Sequence, residues 1–212
     1  MKKILMAVLL TALLVLPMEG VVLAQTPEAI PSPPEAAQEL DYTPGTAPAE
    51  TGALDSIAPA LHGVVLAMLH QEEGSFAQAG PVARWEALYN TLSLYGQMDD
   101  RADCSEEELV LPAETVADFS AALADFSELG ELPEELADRM VYDSEQDSYR
   151  LTCGDDSLAQ VRMDGVYTAD GGLEVTGTLV YLVDGSDLAA FRATLQPQDN
   201  LFGYAVTDME LI

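Results

Sequence analysis

The spacing of apolar residues changes once along the chain, near Arg139, and this change restricts the possible folds more than any other feature. Before it, apolar residues recur at steps of three and four, as at Trp85, Leu88 and Leu92, which predicts amphipathic helices. After it, apolar and polar residues alternate, as in 173–183, which predicts half-buried strands. Helices followed by strands are typical of the α+β class, which we therefore expect here.

Three helices are predicted before the change. The first begins near Leu54 and places these apolar residues on one face: Ile57, Leu61, Val64, Val65, Met68 and Leu69. The second ends at Gly96, since glycine often terminates helices. The third opens at Pro112 and continues in helical step through Val116, Phe119, Leu123 and Phe126. A short strand at 109–111 precedes the third helix, and a single helical turn at 133–136 follows it.

Antiparallel strands are predicted after the change, because short turns join them. Segments 140–142 and 148–151 flank an acidic turn, and longer strands follow at 158–167, 173–183, 189–195 and 202–211. We expect the three helices to cover the apolar face of a meander of about five or six strands, a common sheet size. The other face would be open to water or form a shallow cavity.

The order of these elements across 54–212 resembles the NTF2-like cone, with a cystatin-like fold or a simple helix-on-meander as the alternative. The NTF2-like resemblance implies a cavity between sheet and helices. Aromatic residues could line it, although their helical and strand spacing is more simply that of core or boundary residues: Trp85, Tyr89, Tyr95, Tyr167, Tyr181 and Tyr204. Separately, segments 85–89 and 142–151 are similar to uncharacterised secreted proteins of anaerobic gut bacteria. That resemblance implies an extracytoplasmic location and brings no assigned activity.

The N-terminus has the three parts of a secretory signal peptide, which we assign to residues 1–24. Lys2 and Lys3 precede an apolar run that is too short to span a bilayer comfortably. Cleavage is expected between Ala24 and Gln25, and an uncleaved anchor is the alternative. We therefore expect a secreted chain, without a membrane association once the signal peptide is removed.

Residues 25–53 are rich in Pro, Ala and Glu and contain few large apolar side chains. Such a composition cannot bury enough surface to offset the entropy of the chain, so we predict a disordered, extended linker. Residues 54–212 would then form a single α+β domain. Nothing in the sequence indicates what the linker tethers.

The chain is strongly acidic, with 37 Asp and Glu against 8 Lys and Arg and a formal net charge of -29. This excludes nucleic acids and anionic membrane surfaces as partners, because both attract clustered cations. It also favours a soluble monomer. Removal of residues 1–24 would remove every Lys, so neither a phosphate-loop lysine nor a Schiff-base lysine is expected.

The cysteines, Cys104 and Cys153, are a candidate disulfide, since an even number of cysteines in an exported chain permits pairing. The bond would close a loop of about 50 residues and stabilise the fold by about 4 kcal/mol in the chain-entropy model. Two free thiols are the alternative, because the loop position of Cys104 does not place it near Cys153.

His62 and His70 both lie on the first predicted helix, about 12 Å apart along its axis, which is too far to bind one metal ion. The sequence predicts surface or boundary positions for both. No serine lies in a nucleophile elbow, and no pair of carboxylates stands out from the many acids. We therefore predict no catalytic site and no cofactor.

The turn at Asp143, Glu145 and Asp147 begins like a calcium-binding loop. The pattern then fails, because Ser148 stands where the sharp-turn glycine is expected and Gly154 where the final glutamate is expected. The turn is a weak calcium candidate, with a solvated turn as the alternative.

On these grounds we expect a secreted, non-enzymatic module that binds an unknown protein or small-molecule ligand through its open sheet face. The first alternative is an NTF2-like pocket protein that binds or converts a small molecule. The second is an acidic surface protein that binds calcium weakly.

Overall fold

The described structure begins with helices, as the sequence predicts. The computed structural model describes residues 51–71, 74–105, 108–123, 126–152, 158–169 and 171–212. These residues fall within one compact unit, Thr43–Ile212. A 3-10 segment, Thr51–Ile57, leads into α1 (Ala58–Gln71), and α2 (Pro81–Tyr95) follows a short break. Proline at the first position of α2 suits a helix start, because the amide hydrogen it lacks has no partner inside the helix there.

The helices α1 and α2 pack side by side and run in opposite directions. His62, near the start of α1, contacts Tyr95 at the end of α2. His70, near the end of α1, contacts Glu86 in the first half of α2. The pair is therefore an antiparallel helical hairpin.

The two helices approach each other tightly at Gly63. A Cβ atom at this position would lie 2.1 Å from Oγ1 of Thr91 and 2.5 Å from the carbonyl oxygen of Ala87. The Thr91 hydroxyl already donates to that carbonyl at 2.8 Å, so it is held in place. Glycine is thus required for packing, although it lowers the intrinsic helix propensity of α1.

The burial of α1 differs from the expectation of a single apolar face. Most of its residues are buried, including Ala60, Leu61, His62, Val64, Val65, Ala67 and Met68. Leu69, which the helical step assigned to the apolar face, is 41% exposed. The reason is that α1 packs against α2 and also against strands of the C-terminal sheet.

The first sheet packs against α2. Its strands are β1 (Asp103–Cys104), β2 (Glu108–Pro112), β3 (Met140–Asp143) and β4 (Ser148–Thr152), in the antiparallel order β1-β2-β4-β3. The helices α3 (Ala113–Ser120) and α4 (Phe126–Leu129) connect β2 to β3. Trp85 of α2 lies against Tyr149 of β4, with ring centroids 6.2 Å apart, and its Nε1 donates to the carbonyl oxygen of Leu129 at 3.1 Å.

The second sheet packs against α1. Its strands are β5 (Ala159–Ala169), β6 (Gly172–Tyr181), β7 (Asp187–Pro197) and β8 (Tyr204–Leu211), each paired with the next. The buried residues Val175, Phe191 and Leu195 lie on the inner face. The Phe191 ring covers Gly177, where a Cβ atom would meet the ring at 2.5 Å. Within the described part of the chain, no helix has the length and apolarity needed to cross a membrane.

The α+β class is confirmed, with helices packed on a C-terminal antiparallel meander. The strands lie in two four-stranded sheets rather than in one. Hydrophobic alternation shows which face of a strand is buried, but not which strand pairs with it. The third predicted helix is shorter than expected, since α3 ends at Ser120 and the buried Leu123 follows in a turn. The NTF2-like and cystatin-like resemblances stay predictions.

The signal peptide predicted at 1–24, with its cleavage after Ala24, lies outside the described residues, as does most of the linker predicted at 25–53. The last three residues of the predicted linker, 51–53, begin the 3-10 segment Thr51–Ile57. The segment is anchored by Ile57, which is buried, and by the Ser56 hydroxyl, which donates to the carbonyl oxygen of Phe202 at 2.8 Å.

We expect Gly63→Ala to destabilise the protein by about 2 kcal/mol, because filling a tightly packed contact costs more than the roughly 1 kcal/mol that alanine gains in helix propensity. Urea unfolding measures the difference. Gly74→Ala is the control, because a Cβ atom there would meet nothing within 4 Å. A Gly63→Ala protein that is more stable than the parent would contradict the close helix contact.

Candidate functional site

Large apolar side chains are exposed at one end of the second sheet. We call this surface the apolar end; its residues, each at least 50% exposed, are Leu158, Leu182, Val183, Leu188 and Ile212. Monomeric proteins rarely expose contiguous apolar surface without a binding role. The apolar end is therefore a candidate interaction surface.

The topology of the second sheet places these residues at the same end of the sheet. Strands β5 and β7 begin at this end, and β6 and β8 finish at it. The amide of Leu182 donates to the carbonyl oxygen of Leu158 at 2.7 Å, and the amide of Ile212 donates to that of Ala190 at 2.9 Å. A four-stranded sheet is about 15 Å wide, so the apolar end spans its full width.

Two acids border the apolar end. Asp184 closes the turn between β6 and β7 by accepting a hydrogen bond from the amide of Ser186 at 2.9 Å, and hydrogen bonds from Ser186 lower the pKa of its carboxyl. Asp187 is paired with Arg162 at 3.2 Å but remains well exposed. The apolar surface thus has a rim on which negative charge predominates.

The outer face of the second sheet is polar, as the alternating pattern predicts. Arg162 is half exposed and lies 2.8 Å from Asp164, which also accepts a hydrogen bond from the Thr178 hydroxyl at 2.6 Å. Arg192 lies 3.8 Å from Glu174. The arginines on this face are therefore paired with carboxylates.

A buried ionic cluster links both helices to the first sheet. The Glu86 carboxylate is 2% exposed and accepts hydrogen bonds from both terminal nitrogens of Arg139, at 2.8 and 2.6 Å. Nδ1 of His70 lies 3.2 Å from the same carboxylate, and the Arg139 guanidinium stacks over the Tyr89 ring at 4.7 Å. Burial raises the pKa of Glu86, but the hydrogen bonds and charge of Arg139, aided by His70, outweigh burial and lower it.

The position of His62 corrects the expectation of a surface histidine. The side chain is fully buried, and its Nδ1 shares a 2.7 Å hydrogen bond with the Tyr95 hydroxyl. Burial lowers the pKa of His62 to about 4 and raises that of Tyr95, so both groups are neutral at pH 7. His70 is 64% exposed, in agreement with the prediction of a boundary position.

Two of the three calcium candidates, Asp143 and Asp147, have other partners. Asp143 accepts hydrogen bonds from the amides of Glu145 and Gln146 and lies 3.3 Å from Arg150. Asp147 accepts a hydrogen bond from the Tyr142 hydroxyl at 2.7 Å. Among the residues that the structure describes, no three His, Cys, Asp or Glu side chains are arranged to hold a metal ion.

The acidic loop before β1 is organised by an arginine. The Arg101 guanidinium lies 2.8 Å from Asp99, 2.7 Å from Asp118 and 3.8 Å from Glu114. Its hydrogen bonds lower the pKa of Asp99. These acids therefore tie the loop to α3.

Cys104 lies in β1, opposite Leu109 of β2, and is exposed. Cys153 lies outside the described residues, so the disulfide between Cys104 and Cys153 stays a prediction.

The aromatic residues proposed to line one pocket are divided between the two sheets. Trp85 and the Tyr89 hydroxyl contact β4 of the first sheet, the latter by donating to the carbonyl oxygen of Thr152. Tyr167, Tyr181 and Tyr204 belong to strands of the second sheet.

The sequence interpretation missed the apolar end. Val183 continues the alternation through Tyr181, so the predicted strand runs to 183, whereas β6 ends at Tyr181. The sequence did contain a signal for this surface, because Leu182 and Val183 stand directly before the Asp184-Gly185 turn. Two consecutive apolar residues next to a turn suggest a surface position rather than a core position.

Comparison of the chain with protein-family models, with curated proteins and with solved structures found no match.

We expect the stability of the protein to fall by about 2 kcal/mol between pH 7 and pH 5 on account of His62 alone. The folded pKa, about 4, lies below the unfolded value of 6.5, so the unfolded chain takes up the proton first as the pH falls. Urea unfolding at several pH values should show this loss in the parent protein and a flatter profile in His62→Gln. Identical slopes for the two proteins would refute a buried neutral histidine.

We expect Glu86→Gln to lower the free energy of unfolding by about 2 kcal/mol at pH 7, since it leaves Arg139 without its charged partner. The folded pKa of Glu86 is depressed, so its contribution is present above the unfolded pKa of 4.5 and is lost as the pH falls through the folded value. The difference in urea unfolding should therefore shrink in acid. Glu174→Gln, which disrupts a more exposed pair, is the control and should change stability by less than about 1 kcal/mol.

Proposed function

We propose that this chain is a secreted, non-enzymatic binding module whose partner is a protein that presents apolar side chains flanked by basic ones. The observation that carries the proposal is the apolar end of the second sheet. Burying such surface against a partner would contribute roughly 25 cal/mol for each Å² of apolar area removed from water. Secretion rests on the predicted signal peptide at 1–24.

The charge of the chain supports a basic partner. The formal net charge is -29, and the acids Asp184 and Asp187 border the apolar end. An acidic protein, or a second copy of this chain, would be repelled on approach, whereas a basic one would be attracted. The surface therefore offers apolar contacts at its centre, and the acids at its rim favour a partner of positive charge.

The position of the surface also supports a binding role. The apolar end lies at the tips of strands whose inner faces are fixed by packing on α1. A surface held by a rigid sheet loses little conformational freedom when it binds. The turn between β6 and β7 at this end contains Gly185, whose positive φ of 76° is a conformation that glycine adopts without strain.

We expect the double substitution Leu182→Ser/Val183→Ser to weaken binding of a synthetic leucine- and lysine-rich amphipathic peptide at least tenfold, because it removes apolar area from the centre of the surface. Fluorescence anisotropy of the labelled peptide measures the affinity. Both side chains are at least half exposed, so the stability of the protein should change by no more than about 0.5 kcal/mol.

The matched control is Leu201→Ser, since Leu201 is 60% exposed and lies in the turn between β7 and β8, at the other end of the second sheet. It should leave peptide affinity unchanged. A peptide with glutamate in place of lysine should bind at least tenfold more weakly, and added salt should reduce the difference. Equal loss of affinity in both variants, or equal binding of both peptides, would overturn the proposal.

A further inference from the structure

A groove of about 310 Å³ lies on the outer face of the first sheet. Its volume is at the small end of the range for small-molecule sites, which starts at about 300 Å³. The residues that matter for its chemistry are Glu108, Asp138, Arg139, Val141, Arg150 and Thr152. Charges of both signs therefore surround an apolar side chain.

Strand register determines where these groups lie. Arg150 and Thr152 are on the same face of β4, about 7 Å apart along the strand. Val141 of β3 is opposite Arg150, and Glu108 of β2 is opposite Thr152. The carbonyl oxygen of Arg139 accepts a hydrogen bond from the Thr152 amide at 3.0 Å, which holds Arg139 beside the groove.

The guanidinium groups differ in their availability. Both terminal nitrogens of Arg139 are bonded to Glu86, at 2.8 and 2.6 Å. Arg150 is 47% exposed and contacts Asp143 through one nitrogen at 3.3 Å. Its remaining nitrogens bond to no residue in the described ranges, so Arg150 is the cation with hydrogen bonds to offer.

The carboxylates of the groove are available as well. Within the parts of the chain that the structure describes, neither Glu108 nor Asp138 forms an ion pair. A ligand that uses all of these groups needs a carboxylate for Arg150, an ammonium group for Glu108 or Asp138, and an apolar portion for Val141.

A simple anion or cation matches the charges of the groove less well than a ligand that carries both charges. An anion would face the unpaired carboxylates of Glu108 and Asp138 and the net charge of -29 on the chain. A simple cation would leave the donors of Arg150 unused. An overall neutral ligand that carries both charges avoids both penalties.

We propose that the groove on the first sheet binds a free α-amino acid with an apolar side chain. The α-carboxylate bonds to Arg150, the α-ammonium group lies against Glu108 and Asp138, and the side chain packs on Val141. This site is independent of the binding function proposed for the apolar end.

Isothermal titration of the purified protein with leucine, leucinamide and N-acetylleucine tests the proposal. Leucine should bind with a dissociation constant of about 1 mM or tighter, which corresponds to about 4 kcal/mol of binding free energy. Leucinamide lacks the carboxylate and N-acetylleucine lacks the ammonium group, so each should bind at least tenfold more weakly. N-acetylleucine should be the weakest, because its remaining charge is negative.

Variants identify the side chains. Arg150→Gln should weaken leucine binding at least tenfold and leave leucinamide binding unchanged, whereas Glu108→Gln should weaken both ligands. Arg192→Gln is the control, since Arg192 is a half-exposed arginine on the second sheet with a carboxylate at 3.8 Å. Thermal melts establish whether the variants are folded. If Arg150→Gln does not fold, Glu108→Gln still tests the proposal.

Several results would overturn the proposal. Absence of leucine binding would show that the groove has no amino-acid site. Leucinamide as tight as leucine would reveal a cation site, and N-acetylleucine as tight as leucine would reveal an anion site. Equal loss of affinity in Arg150→Gln and Arg192→Gln would place leucine elsewhere on the protein.

Discussion

The close contact of α1 with α2 at Gly63 is the constraint on which the rest of the structure depends. It allows the two backbones to approach, and the hairpin they form carries the second sheet on α1 and the first sheet on α2. The contact also fixes the relative register of the two helices. That register brings His62 to Tyr95 near one end of the hairpin and His70 to Glu86 near the other. A side chain at position 63 would separate the helices and disturb both polar contacts together.

These two polar contacts are satisfied by different physical means. His62 is fully buried and stays neutral, and its Nδ1 shares a hydrogen bond with the Tyr95 hydroxyl. Glu86 is buried as a carboxylate, and a buried charge is costly unless an opposite charge and hydrogen bonds compensate it. Arg139 provides both, through a bidentate contact from the first residue before β3. The ionic cluster therefore fixes the position of the strand that borders the groove on the first sheet.

Local patterns in the sequence predicted the structural features that depend on residues close together in the chain. The steps between Trp85, Leu88 and Leu92 correctly placed the buried face of α2, and alternation correctly located the strands of the second sheet. Patterns could not predict what depends on distant partners. The burial of His62 requires Tyr95, which is 33 residues away. The exposure of Leu182 depends on where β6 leaves the sheet, and apolar alternation looks the same on either side of that point. The division into two sheets was not predicted either, because apolar alternation does not show which strands pair with each other.

Several of the arginines are paired with carboxylates of the same chain. This pairing explains why we propose that both surfaces select their ligands by charge. In the described part of the chain, these arginines are each within 4.0 Å of a carboxylate: Arg101, Arg139, Arg150, Arg162 and Arg192. They neutralise acids of their own chain, and the excess of 37 acids over 8 basic residues is left for the surroundings to balance. A protein partner would then have to supply cations of its own, which is why we propose a basic partner for the apolar end. A small ligand avoids the same field by carrying no net charge, and Arg150 with its single 3.3 Å contact can still bond to the negative part of such a ligand.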